Sequence, residues 1–246
     1  MHDAFTDLDM GDPGAFYPAV FERFEKFVLA ASPVDTVDIT RVVKQFFCNC
    51  FAPKYDVHYS GEKSAEYLVD VLVTTFQPKR VISQDRKMTC AIDAFRAVLA
   101  VESELGGVSA SSAGPLMRNV IEDYLKLLFI RCRYRVMIFT SLPYAAEPGD
   151  YVENRANTMR DIYSRTDGVT GGALLIHLAG ASDRGTSAQV KVTISPGTIR
   201  GFIISEDGSA IDEIRIADTD TDTDTDTDTD TDTDTDTEAM APLSHN

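Results

Sequence analysis

The apolar positions of this chain change period several times, and each change marks an element. Phe16, Val20, Phe24, Phe27 and Val28 recur at helical spacing over residues 15–31, as do Ile39, Val42, Val43, Phe46, Phe47 and Cys50 over 36–51. A stripe of that width buries one face of a helix, so the chain opens with two amphipathic helices parted by Ser32-Pro33. Ala65, Leu68, Val69, Leu72 and Phe76 keep the same spacing behind Ser60, an apt N-cap, and predict a third helix over 61–76. Residues 97–101, AVLAV, are instead short and continuously apolar, and Gly106-Gly107 closes them, which reads as a buried strand. Residues 90–95 predict the strand before it, turned back antiparallel near Arg96.

Helical spacing returns over 112–128, where Leu116, Val120, Tyr124, Leu127 and Leu128 share a stripe and Pro115 sits near the first turn. Val136-Met137-Ile138-Phe139 predicts another buried strand, residues 152–163 a short surface helix, and residues 172–179 a further strand. In that last strand His177 reads as a core histidine rather than a ligand. Residues 188–194 and 198–205 alternate around Ser195-Pro196-Gly197 and predict a hairpin, with 211–216 as a final short edge.

Charge changes this picture less than its total suggests. The net charge is −16, but ten of the acids belong to an Asp-Thr alternation over 218–237, leaving about −6 for the rest. That tract has no apolar residue and repels itself, so residues 218–246 predict a disordered acidic tail, as residues 1–14 predict a frayed N-terminus. One domain over 15–217 remains. Its mild acidity does not advertise nucleic-acid binding, which would have to rest on local basic clusters. Four cysteines without paired C-x-x-C spacing fit a reduced cytoplasmic protein. The acidic N-terminus lacks the marks of a secretory signal, and no apolar run approaches the ~20 residues of a membrane span.

The candidate chemistry gathers around 90–107. Glu102 and Glu104 fall on one strand face, about 7 Å apart along the strand. The predicted antiparallel turn brings Asp93 close to Glu102. Three carboxylates at the end of an apolar strand are costly unless a cation compensates them or water solvates them. Glu66, on the border of the predicted helix 61–76, is placed to lean over the sheet edge. Lys79, Arg80, Arg86 and Lys87 lie just upstream, and Arg131, Arg133 and Arg135 follow the helix 112–128; both groups suit a phosphate backbone.

The order strand, strand with Glu-x-Glu, helix, strand over residues 60–143 resembles the core of the PD-(D/E)xK nuclease superfamily, the restriction-endonuclease-like fold. The family's usual Lys falls on Glu104, and a minority of type II restriction enzymes carry Glu-x-Glu there. The resemblance implies an α/β fold with a mixed central sheet flanked by helices, here with a helical N-terminal flank and a C-terminal hairpin region. It implies Mg²⁺ or Mn²⁺ held by Asp93 and Glu102 with help from Glu66, and Glu104 as a further ligand or proton acceptor. Lys126 stands as a substitute for the missing cation. The expected activity is endonucleolytic cleavage of double-stranded DNA by a homodimer. Two alternatives stay open: a non-catalytic binding module on the same fold, and an α/β protein whose acids are structural.

Overall fold

The computed structural model describes residue 8 and residues 10–59, 68–75, 96–106, 112–182 and 190–215. The chain divides into two units, 1–216 and 217–246. The second, with the whole tail expected to be disordered, lies outside the described residues, as do Glu66, Lys79, Arg80, Arg86, Lys87 and Asp93.

The first two helices form where the stripes predict. Helix α1 spans Pro13–Ala31 and α2 spans Thr36–Phe51. Asp12 caps α1 by accepting from the Gly14 N–H, and Asp35 caps α2 by accepting from the Asp38 N–H. Residues 10–14, expected to fray, are tied down instead: the Tyr134 hydroxyl donates to the Met10 carbonyl at 2.7 Å and the Arg133 guanidinium to the Gly11 carbonyl at 2.7 Å. Helix α3 is Ala113–Phe129 and α4 is Tyr151–Ser164.

The strands are β1 Asp56–Tyr59, β2 Val71–Thr74, β3 Ala97–Glu104, β4 Cys132–Ser141, β5 Ala173–Ser182, β6 Val190–Val192, β7 Ile199–Ile204 and β8 Ile211–Glu213. They form one open mixed sheet in the order β1-β2-β3-β4-β5-β7-β8, with β6 also on β5. The centre, β3-β4-β5, is parallel and every other pairing is antiparallel. Parallel neighbours need a crossover, supplied here by α3 and α4.

Strand alternation sorts the core into two faces. Val71, Val73, Leu99, Val101, Tyr134, Val136, Ile138, Leu174 and Ile176 pack with the aromatic stripes of α1 and α2. Ala100, Met137, Phe139, Leu175 and Phe202 pack with α3 and α4 on the other side. Such a central sheet, covered on both faces, explains the near-continuous apolar runs of β4 and β5.

Two expectations give way. The helix predicted over 61–76 does not continue through its second half, because Val71–Thr74 is strand β2, antiparallel to both β1 and β3. Val69, Val71 and Val73 are β-branched and fit a pleated surface better than a helical one. The strand predicted over 90–95 lies outside the described residues; among them, β2 holds the antiparallel side of β3 from Ala97 to Val101 and β4 holds the other. The hairpin predicted over 188–205 is replaced as well. β6 and β7 both pair with β5, at Gly180–Ser182 and Ala173–Leu178, and the C-terminal hairpin is β7-β8.

Candidate functional site

The acidic end of β3 is built by three elements. Glu102 and Glu104 follow Ala100 on the face toward α3, while Ser103 points with Val101 toward α2. Continuing the β2-β3 register one residue past the Val71–Val101 pair brings Asp70 beside Glu102. The Ser103 N–H donates to Asp70 Oδ2 at 2.9 Å and the Ser103 hydroxyl donates to the same oxygen at 2.5 Å. Lys44 Nζ, from α2, lies 3.6 Å from Asp70 Oδ1. From α3, Asp123 accepts from Lys126 Nζ at 2.5 Å.

Glu102 is only 6 % exposed. Burial, with the negative charges of Asp70 and Asp123 added, pushes its carboxyl up to about 8, against the pull of Lys126 and of the Asp70 backbone amide. Glu104 is raised too, first by burial and then by Asp123, although the Gly106 N–H donates to its Oε1 at 2.9 Å. Two carboxyls that resist ionisation side by side mark a place short of positive charge. Lys126, raised chiefly by its bond to Asp123, faces this cluster as the sequence suggested, but its ammonium is committed to Asp123. Among the described residues no three His, Cys, Asp or Glu side chains are grouped so as to hold a metal ion.

The arginines expected to bind phosphate sit elsewhere. Arg131 and Arg133 flank Cys132, which is level with Ala97, and Arg135 is level with Ala100, whereas Glu104 is level with Phe139. Seven residues of strand, about 23 Å, separate the level of Ala97 from that of Glu104, and four, about 13 Å, separate Arg135 from it. Arg135 is 2 % exposed and donates to the carbonyls of Thr170 and Ile130 at 2.6 and 2.9 Å. Its guanidinium is a structural strut, and it cannot reach a phosphate without abandoning buried acceptors.

His177 is the core residue the sequence predicted, 1 % exposed and 3.0 Å from the Ser141 hydroxyl. Burial first, then the charge of Arg200, drives it down to about 3. Asp70, Asp123 and Lys44 were not among the expected site residues. Asp70 interrupts the Val-Asp-Val run and reads as a helix border. Asp123 and Lys126 look like an ordinary exposed pair at three-residue spacing.

Comparison of the chain with protein-family models, with curated proteins and with solved structures finds no match. Among the described residues no helix is long and apolar enough to cross a membrane.

Proposed function

We propose that this chain is a divalent-metal-dependent endodeoxyribonuclease with a restriction-endonuclease-like core, hydrolysing phosphodiester bonds of double-stranded DNA. The observation that carries the reading is buried Glu102, lifted to about 8 by burial and by its acidic neighbours at the end of β3. The element order supports it: an antiparallel strand, the strand with Glu-x-Glu, a helix, then a strand parallel to the second. The acid on the preceding strand that the family resemblance assigned to Asp93 is taken in this reading by Asp70.

The donor chemistry fits a hard cation, since Glu102 and Glu104 offer carboxylate oxygens and no soft ligand, while Asp70, bonded to Ser103 and Lys44, adds negative charge from the neighbouring strand. A bound Mg²⁺ or Mn²⁺ would polarise the scissile phosphate and acidify a water for in-line attack. The chain's own residues set the stage. Glu102 gives up its proton when a cation arrives, because ligation requires the carboxylate. Glu104, whose Oε1 accepts from the Gly106 amide and whose carboxyl also bonds Asp123, would accept a proton from the attacking water in place of the family's Lys. Lys44 and Lys126 fix Asp70 and Asp123 from either side. A duplex cut on both strands calls for two such sites about a two-fold axis, hence a homodimer.

The second reading is a non-catalytic binding module. It draws on Glu104 standing where the family carries Lys, and on the absence, among the described residues, of a three-carboxylate metal group. Plasmid nicking separates the two. Cleavage that needs Mg²⁺ or Mn²⁺ and disappears in Asp70→Asn supports the nuclease. DNA binding without cleavage under either metal supports the module.

A further inference from the structure

The opposite end of the same strands carries a second concentration of charge, of the other sign. A cavity of about 880 Å³ opens at the start of β3 and β4, and its described lining includes Arg96, Arg131 and Arg133, with Tyr55, Thr75 and Thr170, and no carboxylate. In a chain with 39 Asp and Glu against 23 Lys and Arg, three guanidinium groups with no acid among the described lining residues are not what composition would place there. Arg133 is set in position: it donates to the Gly11 carbonyl at 2.7 Å and lies 5.3 Å from the centre of the Tyr134 ring. Arg96 and Arg131 are exposed at the rim. Behind the wall, buried Arg135 donates to the carbonyl of Thr170, one of the lining residues, and adds a fourth positive charge. Like charges held together repel, and an anion between them converts that repulsion into attraction.

We propose that this cavity binds a phosphorylated ligand, with Arg96, Arg131 and Arg133 gripping its phosphate oxygens. Guanidinium forks match phosphate oxygens in pairs, which favours phosphate over a monovalent anion of smaller span. The site, at the level of Ala97, lies about 23 Å from Glu104 by strand rise and does not rest on the nuclease reading. It gives Arg131 and Arg133 the phosphate chemistry that their sequence suggests, away from the carboxylates.

The test is calorimetric titration of the full chain in low salt and chelator, with pyrophosphate, inorganic phosphate and a short single-stranded oligonucleotide as separate probes. Pyrophosphate should bind, more weakly as salt rises. Arg96→Ala and Arg131→Ala should each lower its affinity tenfold or more while leaving the unliganded melting temperature unchanged. An oligonucleotide that binds through these two arginines where pyrophosphate does not would support the site and assign the phosphates to a phosphodiester strand. No binding of any probe, or binding that both substitutions leave intact, overturns the proposal. Because the titration is run in chelator, a failure of metal-dependent nicking leaves this result untouched.

Discussion

Replacing Glu102 with Gln removes an ionisable group while keeping its shape and its ability to hydrogen-bond. The wild-type carboxyl ionises near 8 in the folded protein, against 4.5 for an ordinary glutamate. Between those values the folded state holds a proton that the unfolded state has released. Stability from this group is therefore complete below pH 4.5 and is lost as pH rises through 8. At about 1.4 kcal/mol per pH unit, the loss across the interval reaches ~5 kcal/mol, an upper bound that water reaching the site reduces. Glu102→Gln should cost little at pH 5 and stabilise the protein by a few kcal/mol at pH 9, in the absence of divalent ions. Urea denaturation at pH 5, 7 and 9 measures the difference. Parallel stability curves for wild type and variant across that range would refute the placement of Glu102 in a cation-poor, buried cluster.

Buried His177 works in the opposite direction in pH. Its folded value near 3 lies below the ordinary 6.5, so stability present above 6.5 should fall as pH drops toward 3, by about 1.4 kcal/mol per unit. His177→Gln should flatten that slope in melts from pH 7 to 4, and an unchanged slope would place His177 in water. Gly201→Ala on β7 should destabilise by ~1–3 kcal/mol in urea titration, because a Cβ there meets the Phe21 ring of α1 at 2.6–2.9 Å. Removing residues 218–246 should leave the melting midpoint within about a degree, since the Asp-Thr alternation over 218–237 has no apolar residue and the nine residues after it have only four, too few to add a core; a lower midpoint would give the tail a structural role.

Much of the fold was legible where burial is one-sided and long. The Phe stripes of α1 and α2, the Leu116–Leu128 stripe of α3 and the apolar runs of β3 to β5 are each dictated by the face they bury. β2 was not, because Leu68, Val69 and Leu72 satisfy a helical spacing by coincidence and four residues of strand are too few to contradict it. The pairing of β6 and β7 was hidden for another reason. A turn at Ser195-Pro196-Gly197 specifies a reversal of the chain, but not whether the two strands bond each other or share β5. At the site, the sequence singled out Glu102 and Glu104 through an apolar strand ending in acids. It could not single out Asp123, whose spacing to Lys126 is that of any solvated helix pair, or Asp70, which enters only through the β2-β3 register. Arg135 misled in the opposite sense. Its place in an alternating basic run suggests exposure like that of Arg133 on the same face, yet two residues further along β4 it is buried and donates to the carbonyls of Thr170 and Ile130.

Plasmid nicking by the wild type and by Glu102→Gln, each with Mg²⁺, Mn²⁺ and chelator, tests the central claim most directly. The account predicts cleavage by the wild type with at least one metal, none in chelator, and a loss of at least a hundredfold in a Glu102→Gln protein that melts no lower than wild type. Wild-type protein that leaves the plasmid intact under both metals, or Glu102→Gln that cuts as fast as wild type, would contradict it.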